Sequence, residues 1–275
     1  MKWNIAICQE IFGPIPFDAC CAKAAALGYD GIEIAPFIFS PDIRSFSPRV
    51  VDAARDMAAR HGLELPAMHW LLASPPGMSI TSPDPAIRKN TLDFAGYLVE
   101  FAHRLGVKVL VFGSPAQRDI DPSWQHSGAF KRGVDFLAGM ARACEERGLV
   151  IGFEPLGPSI TNFGATVEDA IEIVEIVGSP ALQLHLDVKA LLLEKIPPAE
   201  LIMLANRRIV HFHANDANRL GPGMGAVDHV PILKALASVG YSGWLSVETF
   251  GNAVPPDEIA ARSITYLRHV MAGIA

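Results

Sequence analysis

Four residues whose side chains bind metal ions or transfer protons stand at the ends of four consecutive apolar segments. They are Glu154, Asp187, His213 and Glu248. Successive members are separated by 33, 26 and 35 residues. Each interval is close to the length of one strand plus the helix that follows it, so we expect the four side chains to meet at one end of a parallel sheet.

Three carboxylates and one imidazole in a confined site need a positive partner, because like charges raise one another's pKa and destabilise the fold. A single glutamate at a strand end is more often a salt-bridge or loop-anchoring residue. A set of four at matching depth instead favours a divalent cation. Ligands rich in oxygen with one nitrogen suit Mn²⁺, Mg²⁺ or Co²⁺ better than a structural zinc site built on thiolates.

The elements that would position these residues are eight short segments rich in Val, Ile, Leu and Phe, a composition typical of buried parallel strands. Helical patterns separate them, and several end at glycine. Eight units in 275 residues give about 34 residues per unit, which predicts a closed (β/α)₈ TIM barrel, in the α/β class, as one domain over residues 1–275. The predicted strands are 4–9, 31–35, 65–71, 107–112, 150–156, 182–188, 209–215 and 244–250.

An open doubly wound sheet is the competing architecture. Such a sheet usually carries a GxGxxG turn after its first strand. Here that strand leads into Gln9-Glu10-Ile11-Phe12-Gly13-Pro14, which lacks the pattern. The closed barrel is therefore favoured, and its active site is expected at the carboxyl ends of the strands.

Composition and charge exclude several classes of protein. Half of the residues are hydrophobic, which excludes a disordered chain. The net charge is −6 and lysine and arginine form no run, so we expect a small-molecule partner and no nucleic acid. No apolar stretch of about 18 residues indicates a membrane span, and no signal peptide is apparent. The four cysteines form no CxxC pair, which favours reduced thiols and a cytoplasmic location.

An ordered series of short motifs resembles the xylose-isomerase-like TIM barrels, specifically the sugar isomerase and epimerase group that includes ketose 3-epimerases. The resemblance spans the whole chain. The matching segments are Gly113-Ser114-Pro115, Gly152-Phe153-Glu154-Pro155, His185-Leu186-Asp187, His211-Phe212-His213 followed by Arg219, Pro222-Gly223-Met224-Gly225, and Ser246-Val247-Glu248.

The resemblance implies one divalent metal ion held by the four residues, with Mn²⁺ as the first expectation and Mg²⁺ or Co²⁺ as alternatives. Glu154 and Glu248 would serve both as ligands and as the catalytic acid and base, whereas Asp187 and His213 would be ligands only. Arg219 would hold substrate oxygens. The resemblance also implies a homo-oligomer, either a dimer or a tetramer.

The chemistry expected of such a site is proton transfer on a small sugar or sugar acid. A cation chelated by adjacent carbonyl and hydroxyl oxygens stabilises the enediolate that forms when the neighbouring C–H proton leaves. A carboxylate within hydrogen-bond reach takes that proton. Its return to another carbon isomerises the sugar, and its return from the opposite face epimerises it. Two flanking glutamates allow either result.

One position departs from the family pattern. Epimerases of this group place a substrate-binding histidine three residues after the aspartate ligand. In this chain the segment is Asp187-Val188-Lys189-Ala190, so alanine occupies that position. Alanine donates no side-chain hydrogen bond, and either Lys189 binds the substrate instead or the substrate differs.

Further candidates carry two interpretations each. His185 is expected either to bind substrate or orient a ligand, or to be a hydrogen-bonded core histidine, and the last two interpretations also apply to His211. His69 is expected either to line the pocket or to pack in the core. Glu33 is expected to contact substrate or to form a buried ion pair. Arg118 is expected to hold an anionic group or to form a surface salt bridge. Phe12, Phe37, Trp70 and Phe250 are candidates for an apolar wall, and the histidines at 61, 103, 126, 229 and 269 are expected to be mostly solvated.

Other functions of the same barrel remain open. A dehydratase of a keto sugar acid would use the same metal and base but lose water. A nuclease related to endonuclease IV would need a three-metal cluster, whereas the earlier strands supply mainly His69 and Glu33. A non-catalytic sugar-binding or metal-binding barrel would bind metal without catalysing hydrogen exchange.

Overall fold

Eight parallel strands form one sheet in a computed structural model that describes residues 3–251 and 253–274. The strand order is β2-β1-β8-β7-β6-β5-β4-β3. The strands are β1 (Ile5–Cys8), β2 (Gly31–Glu33), β3 (Ala67–Met68), β4 (Val109–Phe112), β5 (Val150–Phe153), β6 (Leu182–Asp187), β7 (Ile209–Ala214) and β8 (Leu245–Val247).

The two ends of this sheet meet and close the barrel. A parallel bridge joins Ile34, directly after β2, to Met68 in β3. The backbone N–H of Ile34 donates to the Ala67 carbonyl at 3.1 Å. Closure leaves no free sheet edge there, and it confirms the TIM barrel predicted from the repeating strand and helix patterns.

Helices follow the strands and cover the outside of the barrel. Thr166 and Asp169 form a reciprocal capping box at the start of one of them, as the sequence predicts. The helices are α1 (Phe17–Leu27), α2 (Pro36–Phe39), α3 (Pro48–Arg60), α4 (Pro85–Leu105), α5 (Pro115–Arg118), α6 (His126–Arg147), α7 (Val167–Val177), α8 (Val188–Leu191), α9 (Pro198–Ala205), α10 (His229–Ser238) and α11 (Pro256–Ile274).

The structure differs from the sequence prediction mainly in element length. The third strand, expected over 65–71, is reduced to the two residues of β3. Leu65 and Leu71 are apolar because they are buried beside the strand and not because they pair within it. The three single-turn helices α2, α5 and α8 were not expected, since four residues are too short to show a helical period.

Among the described residues, none of the helices is both long and apolar enough to span a bilayer.

Candidate active site

The four residues singled out by their spacing all lie at the carboxyl ends of their strands. Glu154 and Glu248 are the first residues after β5 and β8, Asp187 is the last residue of β6, and His213 lies one residue before the end of β7. All four are buried, with at most 8% of their surface exposed. Parallel strands present their carboxyl ends at one rim, so the barrel places these side chains at the same end.

Three of these side chains lie within metal-binding distance of one another. Ligand atoms of Asp187, His213 and Glu248 are all within 4.8 Å. His213 Nδ1 lies 3.1 Å from Glu248 Oε2. Glu154 lines the same cavity as His213 and Glu248. The structure therefore brings together the residues that the sequence nominates, with Glu154 on one side of the other three.

The electrostatics of these carboxylates indicate a site that lacks positive charge. Burial, followed by repulsion from Asp187 and Glu248, raises the pKa of Glu154 to about 8. Burial and Glu248 likewise raise the pKa of Asp187. Burial alone would raise the pKa of Glu248, but the neighbouring His213 holds it below its ordinary value. A cation among these oxygens would relieve the repulsion, and the donor set of oxygens with one imidazole nitrogen suits a divalent ion.

A second group of titratable residues adjoins these carboxylates through His213, and we call it the Glu33 cluster: Glu33, His69, His211 and His213. The Glu33 carboxylate lies 2.8 Å from His69 Nδ1, 2.8 Å from His211 Nε2 and 2.9 Å from His213 Nε2. Burial would raise the pKa of Glu33, but the three imidazoles lower it well below its ordinary value. Of the two expectations for Glu33, the structure therefore favours the buried ion pair.

The shared residue His213 uses both of its ring nitrogens. One faces Glu248 and the other faces Glu33. Burial alone would lower the pKa of His213, but the two carboxylates raise it well above its ordinary value. A carboxylate on the far side of a ligand histidine fixes its ring orientation and increases its basicity, so Glu33 is placed to orient this candidate ligand.

His185, a candidate for substrate binding, is fully buried and does not line the cavity. Neither of its ring nitrogens has a hydrogen-bond partner among the described residues. The nearest carboxylate oxygen, Glu154 Oε1, is 3.9 Å from His185 Nε2. Burial and the neighbouring His213 and His211 lower its pKa well below the ordinary value, so the ring is neutral. The expectation of a hydrogen-bonded core histidine is therefore wrong for the described structure.

The other substrate-binding candidates line the cavity or the cleft that adjoins it. His69 and Lys189 line the cavity beside Trp70 and Phe250. Lys189 Nζ lies 4.3 Å from the centre of the Phe250 ring. Arg219 is exposed in the loop after β7, and its guanidinium carbon lies 5.9 Å from the same ring centre. It lines an adjoining cleft that shares Trp70 and Phe250 with the cavity.

The turn in which Ala190 departs from the family pattern is hydrogen-bonded to the candidate ligand Asp187. The Ala190 N–H donates to Asp187 Oδ1 at 2.8 Å, and the Lys189 N–H donates to Asn215 Oδ1 at 2.8 Å. The Asn215 side-chain amide donates to the other oxygen of Asp187. Ala190 itself is buried, and Lys189 is the residue of this turn that lines the cavity.

Asn215 is a positioning residue that the sequence reasoning missed. It stands two residues after His213, so the alternation along a strand could have placed it on the same side.

Two sequence expectations fail because loops cover the residues concerned. Arg118 is fully buried, and it donates to the Glu154 carbonyl at 2.7 Å and to Thr161 Oγ1 at 3.3 Å. It forms neither a surface salt bridge nor a cavity wall, because α5 directs it under the loop after β5. His229 is also buried, with Nε2 3.0 Å from the Asn215 carbonyl, so it is not solvated.

Two of the four aromatic candidates line the cavity, namely Trp70 and Phe250. Their ring centres are 6.5 Å apart. Phe37 packs edge-on against Trp70 at 6.1 Å, whereas Phe12 belongs to the hydrophobic core. The proposed apolar wall therefore exists, but without Phe12.

Gly113 follows β4 and approaches the Glu154 carboxylate closely. A Cβ atom built on Gly113 would collide with Glu154 Oε2. Because its backbone angles are not those of the left-handed region, space and not conformation requires glycine at this position.

Comparison with known proteins identifies the family. The sequence profile of the xylose isomerase-like TIM barrel matches residues 21–270. The chain belongs to this family. Its similarity to a D-psicose 3-epimerase of Ruminiclostridium cellulolyticum is 28% identity over 232 residues, which cover 83% of this chain and 76% of that protein. An L-ribulose 3-epimerase of Mesorhizobium japonicum is 23% identical over 88% of this chain and 78% of that protein.

Solved structures of the same kind share the fold of this xylose isomerase-like barrel. A structure of L-ribulose 3-epimerase superimposes with a TM-score of 0.88 and 19% identity, covering 99% of this chain and 96% of that one. D-psicose 3-epimerase in the presence of D-fructose gives a TM-score of 0.84 and 22% identity, covering 98% and 99%. The family and the enzyme class predicted from the sequence motifs, a sugar isomerase or epimerase, are thereby confirmed.

Proposed function

We propose that this protein is a divalent-cation-dependent isomerase or epimerase of a small ketose or keto sugar acid, with epimerisation next to the carbonyl as its first candidate reaction. The observation that carries the proposal is the meeting of Asp187, His213 and Glu248 within 4.8 Å in a cavity that Glu154 also lines. The ketose 3-epimerases among its relatives support the same reaction class.

The residues that would hold the cation are Glu154, Asp187, His213 and Glu248. Mn²⁺ is the proposed ion, since a set of oxygens with one nitrogen suits it, and Mg²⁺ and Co²⁺ share that preference. When bound, such an ion supplies electrostatic stabilisation of the negative charge that develops on the sugar oxygens during proton removal. The chain's own residues carry out the proton transfer.

The two glutamates differ in their surroundings. Without a cation, burial and the neighbouring carboxylates raise the pKa of Glu154 to about 8, whereas His213 holds the pKa of Glu248 below its ordinary value, and a bound cation would lower both. Two carboxyl groups whose surroundings separate their pKa values are suited to act as acid and base. In one direction Glu248 accepts the proton from the substrate carbon and Glu154 donates one to the opposite face, and in the reverse direction the roles exchange.

Exchange of hydrogen with solvent tests this proposal. The protein is incubated in D₂O with D-psicose, D-fructose or L-ribulose, with and without added Mn²⁺, and C3–H loss is followed by NMR. We expect deuterium at C3 and an epimeric product that has lost no water when Mn²⁺ is present, and neither after chelation. Absence of exchange with every ketose and keto sugar acid, in protein shown to bind Mn²⁺, would overturn the proposal in favour of a binding barrel.

A lyase is the second candidate function, because the same acid and base flank the cavity. A dehydratase of a keto sugar acid would give a product lighter by one water, which mass spectrometry of the same incubations detects. A cytoplasmic homo-oligomer, a dimer or a tetramer, stays a prediction that fractionation and light scattering measure.

A further inference from the structure

Lys189 differs from the other described lysines because it lines the cavity. Lys23, Lys89 and Lys131 each pair with an aspartate at 2.6 to 2.7 Å, and Lys108, Lys195 and Lys234 lack such a partner but are exposed to solvent. Lys189 is only partly exposed and lines the cavity, and within residues 3–251 and 253–274 no carboxylate oxygen lies within 4.0 Å of its Nζ. Its ammonium group is therefore a cation on the cavity wall without a salt bridge to a described residue, and it acts on the Asp187 carboxylate only at longer range.

Contacts at the backbone and at the side chain position Lys189. The Lys189 backbone N–H donates to Asn215 Oδ1, and the Ala190 backbone N–H donates to Asp187. Its Nζ lies 4.3 Å from the centre of the Phe250 ring, at cation–π distance. A residue whose backbone bonds Asn215 and whose ammonium group lies against an aromatic ring has a defined position in the cavity.

The contact with Phe250 leaves most of the donor capacity of the ammonium group unused. A lysine ammonium has three donors, and an aromatic face satisfies it only partly. An anionic oxygen at this point would add the attraction between opposite charges to the hydrogen bond, which a neutral hydroxyl does not supply. Arg219, on the same ring at 5.9 Å, adds positive charge to this side of the cavity mouth.

From this juxtaposition we infer that Lys189 forms a subsite for a carboxylate group carried by the substrate, so that the substrate is a keto sugar acid and not a neutral ketose. The inference rests on the proposed function and names the substrate class for the same site. A carboxylate is favoured over a phosphate because Lys189 lines the cavity itself whereas Arg219 lines the adjoining cleft, and phosphate sites usually supply backbone N–H groups or an arginine fork.

A matched set of substrates tests the inference. D-fructose, D-fructuronate and D-fructose 6-phosphate differ only at C6, which carries a hydroxyl, a carboxylate or a phosphate. C3–H exchange in D₂O is measured for each with Mn²⁺, for the unaltered protein and for Lys189→Met, Lys189→Arg and the control Lys234→Met on the exposed side of α10. We expect the unaltered protein to prefer the carboxylate over the hydroxyl by about tenfold or more in kcat/KM.

The variants separate charge from packing. Lys189→Met should lower kcat/KM for D-fructuronate by about tenfold, mainly through KM, and affect D-fructose several-fold less. Lys189→Arg should retain the preference for D-fructuronate over D-fructose, and Lys234→Met should resemble the unaltered protein. Added NaCl should raise KM for D-fructuronate only in proteins that keep a positive charge at position 189.

Equal effects of Lys189→Met on the acid and the neutral ketose, or a preference for the phosphate, would overturn the carboxylate subsite while leaving the proposed function intact. Failure of all three substrates and other ketoses to exchange would instead overturn the proposed function itself.

Discussion

Glu154 and Glu33 are both glutamates buried inside the barrel, yet their surroundings move their pKa values in opposite directions. Glu33 is surrounded by three imidazole rings, and its pKa is lowered. Glu154 faces two further carboxylates, and its pKa rises to about 8. His213 touches both groups, since one ring nitrogen faces Glu33 and the other faces Glu248.

The two groups differ in whether groups of the protein balance the buried negative charge. The Glu33 cluster balances its buried charge within the protein, as a structural network must. The three carboxylates at the rim lack such a balance, and a protein tolerates that cost where a ligand supplies the missing charge.

The largest effect is expected for Glu154→Gln, which removes the proposed proton donor while keeping the shape of the side chain. The rate of C3–H exchange should fall by about 10²- to 10⁴-fold, since that is the usual contribution of general acid–base catalysis. NMR in D₂O measures the rate, and circular dichroism checks the fold. Glu172→Gln, on the exposed face of α7, is the matched control. Full exchange by Glu154→Gln would show that the assigned role is wrong.

Glu33→Gln should damage stability and metal binding together. Removing one partner from a buried ionic network costs about 3 kcal/mol of unfolding free energy. Loss of the carboxylate that orients His213 should also weaken Mn²⁺ binding by about 10- to 100-fold. Urea unfolding and calorimetric titration with Mn²⁺ measure the two effects. A variant with unchanged Mn²⁺ affinity would contradict the orienting role, whatever its stability.

The metal-free protein should lose stability as pH rises from about 5 to 8. In the unfolded chain the Glu154 carboxyl releases its proton near its ordinary value of 4.5, whereas in the folded protein it keeps that proton up to about 8. The unfolded state therefore binds fewer protons over this window, and unfolding becomes easier by about 2 kcal/mol or more. The raised pKa values of Asp187 and His213 act in the same direction, whereas the lowered pKa values of His185, His211 and His229 oppose it below about 6.5, so the comparison with Glu154→Gln isolates the contribution of Glu154.

Urea unfolding at several pH values in EDTA measures this slope. Glu154→Gln should reduce the change of the unfolding free energy with pH. Saturating Mn²⁺ should increase that free energy most at pH 8. The same pH dependence in the unaltered protein and in Glu154→Gln, without metal, would contradict the raised pKa of Glu154.

The smallest effect is expected for His185→Met, a swap of similar volume at a buried ring without hydrogen bonds. Its cost should stay below about 1.5 kcal/mol. His211→Met is the informative partner, because it removes a contact of 2.8 Å to Glu33 and should cost more. Equal costs in urea unfolding would show that the bond from His211 to Glu33 contributes nothing particular.

The barrel and the group of four rim residues could be predicted because both follow from local patterns. Each rim residue ends its own apolar segment, and a closed barrel places those ends together. The interval of 36 residues between Glu33 and His69 is one strand and helix, but the contact between Glu33 and His213 could not be predicted, because 180 residues separate them and their strands are not neighbours in the sheet.

The burial of Arg118 by a loop could not be predicted either. The environment of Arg118 depends on Thr161, which a loop after β5 brings over it. A sequence pattern reports the period of an element, but it does not report which loop folds over a charged side chain.

The close approach of Gly113 to Glu154 limits which substitutions position 113 can accept. Any residue other than glycine at the end of β4 would have to displace the Glu154 carboxylate, although position 113 neither ionises nor donates from a side chain. Two positions on neighbouring strands are thus coupled through volume alone. In a library of random variants, substitutions at 113 should inactivate the protein without unfolding it, and second-site revertants should map to the loop that carries Glu154.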